Sequence, residues 1–295
     1  MKVHIALFVV SLLYAILFSL AGQIMPQYMH PEGFVMLRIL TAFLLFQLTA
    51  AIVGFEKIEW KKHALEFAIC AFFGTFANMY LFFQGLALTH PINGAILMLV
   101  TPLFVAIFDH FRIKTWPKFG FVLGTLGAAL GSAWLMLGKG AHFNSETLKG
   151  DLLVAVNALF YSIYLVRVKK LTAVYQPVTV NRITFMFGVV FMAAVGGMFD
   201  LGNTNLLSFP QPIVLKIVYI LFFTSFLVYL LNAYAVKKAG PTLAGIYIYL
   251  QPVLAAIIAL IMGTDHLTNT RIVQIVVIMI SVWSATRFSP SSSNH

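Results

Sequence analysis

"GAILMLVTPLFVAIF" (Gly94–Phe108) and "AGIYIYLQPVLAAII" (Ala244–Ile258) lie over one another at an offset of 150 residues. The overlay puts Pro91 on Pro241, Thr101 on Gln251 and Pro102 on Pro252. Each segment belongs to an apolar run long enough to cross a bilayer. A second echo at a slightly different offset sets Arg38 in "MLRILTAFLLF" against Arg182 in "VNRITFMFGVV". Two membrane halves built on one pattern are a common architecture for transporters.

The composition agrees. Of 295 residues, 61% are apolar and 9% charged, with mean hydropathy +0.93. Soluble domains carry roughly 25% charged residues, so this chain lacks the polar surface a water-soluble fold needs. The net charge of +10 is spread in short clusters between apolar runs rather than in a patch interleaved with stacking aromatics. That pattern fits membrane topology and excludes a nucleic-acid partner. Cys70 is the sole cysteine, which excludes disulfides and cysteine-based metal sites. The N-terminal "MKVHIALFVVSLLYAILFSLAGQ" is longer than a signal-peptide core and is followed at once by further apolar runs, so it reads as a retained first span.

At about 20 apolar residues per crossing, the chain divides into ten spans: 3–23, 33–53, 64–86, 92–111, 118–137, 151–169, 178–199, 213–236, 242–262 and 270–287. Several loops are only a few residues long, such as "LTHP" before Ile92 and "KKAGP" before Thr242. Pro91 and Pro241 fall at helix starts, where the missing N–H costs little. With the N-terminus in the cytoplasm, cytoplasmic segments hold thirteen Lys and Arg and outer segments only four, Lys139, Lys149, Lys216 and Arg271. This positive-inside bias puts both termini in the cytoplasm. Five spans per half is an odd number, so the second half enters from the opposite side. The expected fold is an all-α integral membrane protein, with ten transmembrane helices in two five-helix inverted repeats. The first repeat is 1–137, an extracytoplasmic linker is 138–150, the second repeat is 151–287, and a disordered cytoplasmic tail is 288–295.

Polar residues inside the spans point to chemistry. Arginine at mid-bilayer costs at least ~2.5–3.5 kcal/mol on insertion scales. Arg38 and Arg182 therefore either close a gate and attract an anionic group, or snorkel to headgroups and helix ends. Pro102 and Pro252, about halfway along their spans, each free a backbone carbonyl, at Met98 and Ile248. Such breaks survive in a bilayer where neighbours or water satisfy the backbone, so both helices are expected to bend around a shared cavity between Thr101 and Gln251. Asn157, Tyr161 and Tyr164 follow an i, i+4, i+7 stripe. Ser225, Tyr229 and Asn232, Tyr247 with Gln251, Asn93 with Thr101, and Thr75 with Asn78 repeat the theme. Inward Tyr with Asn or Gln suits an uncharged or zwitterionic organic solute; interhelical hydrogen bonding without a ligand is the competing account. Gly120, Gly124, Gly127 and Gly131 form a seam for close helix approach.

Absent features narrow the class. No carboxylate is expected at mid-depth, so ion coupling has no obvious carrier. The chain has no HExxH pair, no Gly-x-Ser-x-Gly elbow and no phosphate loop. An enzyme is excluded, and no cofactor or metal is expected.

Ten spans in two inverted halves with both ends inside resemble the drug/metabolite transporter superfamily, EamA type. The likeness covers nearly the whole chain. It is carried by the two proline segments, by "VMLRILTAF" and "VNRITFMF", and by "GTDHLTNTRIVQIVVIMISVW" near the C-terminus. The chain departs from the family at Gln251, where many relatives have Glu, and at Gly263-Thr264-Asp265, where they often have Gly-Glu. The resemblance implies a bacterial inner-membrane carrier of metabolites, often amino acids or related compounds and often outward. It implies a central site lined by spans one, three, four, six, eight and nine.

The combined expectation is a secondary or facilitative transporter of small organic metabolites working by alternating access around a midplane cavity. Candidate substrate contacts are Asn78, Thr101, Asn157, Tyr161, Tyr164, Tyr229, Asn232, Tyr247 and Gln251. Arg38, Pro102 and Pro252 are candidates for gating. The expected partners are a small-molecule substrate and the lipid bilayer, with the oligomeric state open. The alternative class is a non-transporting receptor-like or scaffolding membrane protein, which tight interdigitation of the polar stripes without a void would favour.

Overall fold

The structure is a computed structural model that describes residues 1–114, 117–138, 143–261, 266 and 268–289. Lys139, the Gly263-Thr264-Asp265 triplet and the tail from Pro290 lie outside the described residues. Among the described residues, nine helices are long and apolar enough to span a membrane. They are α2 (Pro31–Val53), α3 (Trp60–Leu88), α4 (Pro91–Ile113), α5 (Phe119–Leu137), α6 (Leu148–Val174), α7 (Pro177–Ala194), α8 (Gln211–Ala239), α9 (Pro241–Ile261) and α10 (Asn269–Arg287). They follow α1 (Lys2–Ala21), which is apolar as well. The chain is an all-α, multi-span membrane protein.

Local chemistry sets the helix ends. Pro31, Pro91, Pro177 and Pro241 each open a helix, where a fixed φ and a missing donor are harmless. Two spans depart most from the sequence expectation. Span seven, expected to reach residue 199, stops at Ala194. Gly196 adopts φ +89, a left-handed conformation open to glycine at little cost, and a separate short helix, Gly197–Asn203, follows. Span six, expected over 151–169, runs from Leu148 to Val174. At 1.5 Å per residue it is ~40 Å long, so it outreaches a ~30 Å hydrocarbon core.

The helices pack in recurring pairs: α2 on α7, α5 on α10, α4 on α9, α1 on α8, α3 on α6, α4 on α6 and α1 on α9. The glycine seam performs as expected. A Cβ on Gly124 would lie 2.5 Å from Ala285 N and 2.8 Å from Ser281 O, so only a missing side chain lets α5 touch the α10 backbone.

The helices that matter for the site are interrupted. In α4 the helix breaks at Leu99–Val100 and restarts at Thr101-Pro102. In α9 a 3-10 turn, Tyr247–Tyr249, precedes Gln251-Pro252. The two breaks meet, since a Cβ on Gly245 would sit 3.5 Å from Pro102 Cα and 3.4 Å from Val105 Cβ. The sequence did not announce two further irregularities. Phe72–Phe76 in α3 and Ile220–Leu227 in α8 are π-helical.

Candidate site: a central cavity and its vestibule

The π-helical turns hold two side chains of the wall, Arg38 and Tyr229, in place. A π turn leaves backbone groups out of the regular ladder and often marks a functional site. In α8, the hydroxyls of Thr224 and Ser225 both donate to Ile220 O, at 2.8 and 3.1 Å. That places both oxygens to accept from Arg38: Nε donates to Ser225 Oγ at 2.8 Å and Nη2 to Thr224 Oγ1 at 3.3 Å. In α3, the Gly74 carbonyl accepts from Tyr229 OH at 3.0 Å.

The wall encloses a cavity of about 60 Å³ lined from both halves of the chain. That is room for a few water molecules. Six of the residues expected from sequence line it: Arg38, Asn78, Asn157, Tyr161, Tyr229 and Gln251. Three of them, Asn78, Asn157 and Tyr229, are joined by hydrogen bonds. Asn78 Nδ2 donates to Asn157 Oδ1 at 2.5 Å, Tyr229 OH reaches Asn78 Oδ1 at 3.4 Å, and Asn157 Nδ2 points at Met98 Sδ, 3.2 Å away. Asn232 Nδ2 donates to Tyr161 OH at 3.1 Å from behind. Apart from the phenol of Tyr14, the rest of the lining is apolar.

A larger space of about 450 Å³ adjoins it. It lies among Gly22 and Gln23 at the end of α1, Pro91 and Ala95 at the start of α4, Met136 at the end of α5, and Pro252 and Ala255 of α9. Ile248 and Gln251 line both spaces, so these two side chains form the wall between cavity and vestibule.

Four expected contacts sit elsewhere. Thr101 is not among the cavity-lining residues. The break just before it makes it the first residue of a new helical segment that packs on α6, where its carbonyl accepts from Ser162 Oγ at 3.1 Å. Tyr164 is buried with its ring against Gly74. Asn232 stands behind Tyr161. Tyr247 faces α1: its hydroxyl hydrogen-bonds His4 Nδ1 at 2.7 Å and its carbonyl accepts from Ser11 Oγ at 2.8 Å.

The arginine pairing also needs correction. Counting from Pro31 and from Pro177, Arg38 is the eighth residue of α2 and Arg182 the sixth of α7. Two residues are about 200° of helical rotation, and the surroundings of the two arginines differ. Arg38 is 2% exposed and does not snorkel; Arg182 reaches Gln47 Oε1 at 3.3 Å and lies over the Phe55 ring near a helix end.

Sequence reasoning missed Tyr14, Met79, Phe82, Phe83, Met98 and Ile248, all on the cavity wall. Ser11 and Tyr14, three apart in the apolar middle of α1, carried a signal. The Phe and Met residues carried none, since an apolar side chain toward a cavity and one toward lipid look alike in sequence. Among the described residues, no group of three or more His, Cys, Asp or Glu is placed to hold a metal ion.

At the end away from the vestibule, side chains tie the halves together. Arg167 Nε and Glu66 Oε1 are 2.8 Å apart. Thr242 Oγ1 donates to Asp109 Oδ2 at 2.5 Å, while Asp109 also accepts from Arg112. Tyr175 OH hydrogen-bonds His63 Nδ1 at 2.9 Å. At the vestibule end, Asp151 accepts from Thr89 Oγ1 at 2.6 Å.

Comparison with known proteins places this architecture. A solved crystal structure superposes with a TM-score of 0.76 over 97% of both chains at 18% identity, a likeness of fold. Among curated proteins, the chain is 28% identical over 214 residues to the uncharacterized transporter YyaM of Bacillus subtilis, covering 72% of this chain and 70% of the relative. It is 28% identical over 181 residues to an uncharacterized transporter of Archaeoglobus fulgidus (60% and 61% covered). It is 24% identical over 206 residues to YcxC, another uncharacterized transporter of B. subtilis (67% and 65% covered). The sequence pattern of one family of transporters, rather than enzymes, matches residues 1–137 and 148–287. The chain belongs to the EamA-like transporter family.

Proposed function

We propose that the protein is a secondary or facilitative carrier of small organic metabolites, of the amino-acid size class and in the export direction, working by alternating access around the central cavity. The observation that supports this best is the shared wall. Gln251 and Ile248, beside the proline break of α9, separate a small buried cavity from a vestibule open at one end. A modest shift of the broken helix would join the two spaces. The void also favours a carrier over a non-transporting scaffold.

The moving parts are two five-helix inverted repeats, 1–137 and 151–287, joined by the outer linker 138–150, with ten spans in all and both termini cytoplasmic in a bacterial inner membrane. The packing pairs support this symmetry. Exchanging each helix for the one five places on leaves α2 on α7, α5 on α10 and α4 on α9 unchanged, and turns α1 on α8 into α3 on α6 and α1 on α9 into α4 on α6. In this orientation the vestibule faces outward, and the polar ties at Glu66, Asp109 and Tyr175 hold the inner side closed. Asn78, Asn157, Tyr161, Tyr229 and Gln251 meet the solute directly. Thr101, Tyr164, Asn232 and Tyr247 act in support of them, and Arg38, Pro102 and Pro252 serve the gate.

Gln251→Ala tests the assignment. In proteoliposomes it lowers solute flux several-fold while expression and thermal stability hold. Unchanged flux would remove Gln251, and with it the shared wall, from the transport path.

A further inference from the structure

Arg38 is the one cation on the cavity wall, and among the described residues lining that cavity there is no carboxylate. Its hydrogen bonds go to two neutral hydroxyls, Ser225 Oγ and Thr224 Oγ1. A guanidinium carries five N–H donors; with two engaged, three are left without a protein acceptor. Its carbon lies over the Phe83 ring at 4.6 Å and over the Phe34 ring at 6.0 Å, and neither ring can accept in place of an anion's oxygens. The ionisable groups nearest in influence are the phenols of Tyr229 and Tyr14, which are neutral donors rather than counter-ions. A positive charge held in so apolar a setting without a compensating anion is costly, and a planar fork of donors matches a carboxylate bidentately.

The other polar groups argue against a companion ammonium. Asn157 Oδ1 already accepts from Asn78, Asn78 Oδ1 from Tyr229, and the Tyr161 oxygen from Asn232, which leaves the neutral amide of Gln251 as the side-chain acceptor on the wall. No acidic side chain lines the cavity to receive a second, positive pole. The remaining wall, Met79, Phe82, Met98 and Ile248, suits an apolar body.

We infer that the transported solute is an organic anion, a small carboxylate with an otherwise uncharged, apolar body, whose carboxylate docks on the free donors of Arg38. The inference rests on the carrier reading above and sharpens it, since it disfavours the zwitterionic amino acids that the stripes of Tyr and Asn had allowed.

Compounds of one skeleton and different charge decide the matter. The first set is 4-methylpentanoate, 4-methylpentanamide, 3-methylbutylamine and leucine, and the second is 3-phenylpropanoate, 3-phenylpropanamide, 2-phenylethylamine and phenylalanine. Purified full-length protein is titrated by thermal shift, then reconstituted for flux and for current on a concentration jump. The expected result is that in at least one set the carboxylate binds roughly tenfold or more tighter than its amide, the amine does not bind, and the amino acid binds more weakly than the carboxylate. Inward flux of the carboxylate carries negative charge. Arg38→Gln abolishes the preference of carboxylate over amide, and Arg38→Lys, which keeps the charge on a different frame, restores part of it. Equal binding of amide and carboxylate, a preference for leucine or phenylalanine, an undiminished preference in Arg38→Gln, or no response to either carboxylate would overturn the inference. Flux of leucine or an amide without carboxylate flux would refute the anion and keep the carrier. Tight, Arg38-dependent carboxylate binding with no flux of any compound would keep the anion site and refute the carrier.

Discussion

At the scale of single residues, the cavity depends on what is missing as much as on what is present. Gly74 lies in the π-helical turn of α3, and a Cβ there would fall 2.1 Å from Tyr164 Cδ2 and 2.3 Å from its Cγ. The ring cannot yield, because it is buried and stacked on Tyr161 at 6.0 Å. Gly74→Ala is therefore expected to destabilise by about 1–3 kcal/mol, the usual cost of overpacking. Thermal unfolding in detergent reads this as a clearly lowered midpoint. Gly245→Ala is the control, since its nearest neighbour stands at 3.4 Å in ordinary contact, and its midpoint should hardly move. Equal midpoints for the two variants would mean that the Tyr164 ring is not fixed. The sequence did not mark Gly74, because neither a π turn nor a ring resting on a glycine leaves a periodic trace. Tyr161 and Tyr164 were legible as a stripe, but not which of them reaches the cavity. Three residues on a helix are about 300° apart, and a small change of register decides which ring faces the void.

At the scale of elements, the prolines were the legible part. A proline within an apolar run predicts a broken helix from its own chemistry, and both predicted breaks are present at Pro102 and Pro252. The partners of the backbone around each break were not legible, because they come from distant helices, as when Ser11 of α1 reaches the Tyr247 carbonyl. Nor was the register of the arginines, which turned on where Pro31 and Pro177 start their helices. The break in α9 carries its own prediction. Pro252→Ala restores a backbone donor and a favourable helix former, which lets the helix run on through the break. Because the wall residues Ile248 and Gln251 flank the break, straightening it fixes the wall in place. The variant should be at least as thermostable as the parent and several-fold slower in flux. A variant of parental speed would show that the bend is a packing feature with no part in opening.

At the scale of the whole molecule, the two ends are held by different bonds, and that difference can be made to report on motion. Away from the vestibule, Thr242 of α9 donates to Asp109 of α4, and Arg112 also bonds this carboxylate. Thr242→Val keeps the shape and the Asp109–Arg112 pair but removes one of the links between halves at this end. A hydrogen bond to a charged group contributes about 1.5–3 kcal/mol. If the bond exists only while the inner end is closed, its loss shifts the population of conformers by roughly tenfold or more toward an inner-open form. The sole cysteine, Cys70, is buried, so the chain supplies its own quiet background for thiol labelling. Ala255→Cys on the vestibule wall should react with a membrane-impermeant maleimide added outside. Adding Thr242→Val should slow that reaction several-fold, because the vestibule closes as the inner end opens. Labelling that is unchanged would mean that the two ends move independently, contrary to alternation. Labelling that accelerates would mean that the Thr242–Asp109 bond belongs to the inner-open form and that the sign of the latch is reversed. The bond would then still couple the two ends, but from the opposite side of the cycle.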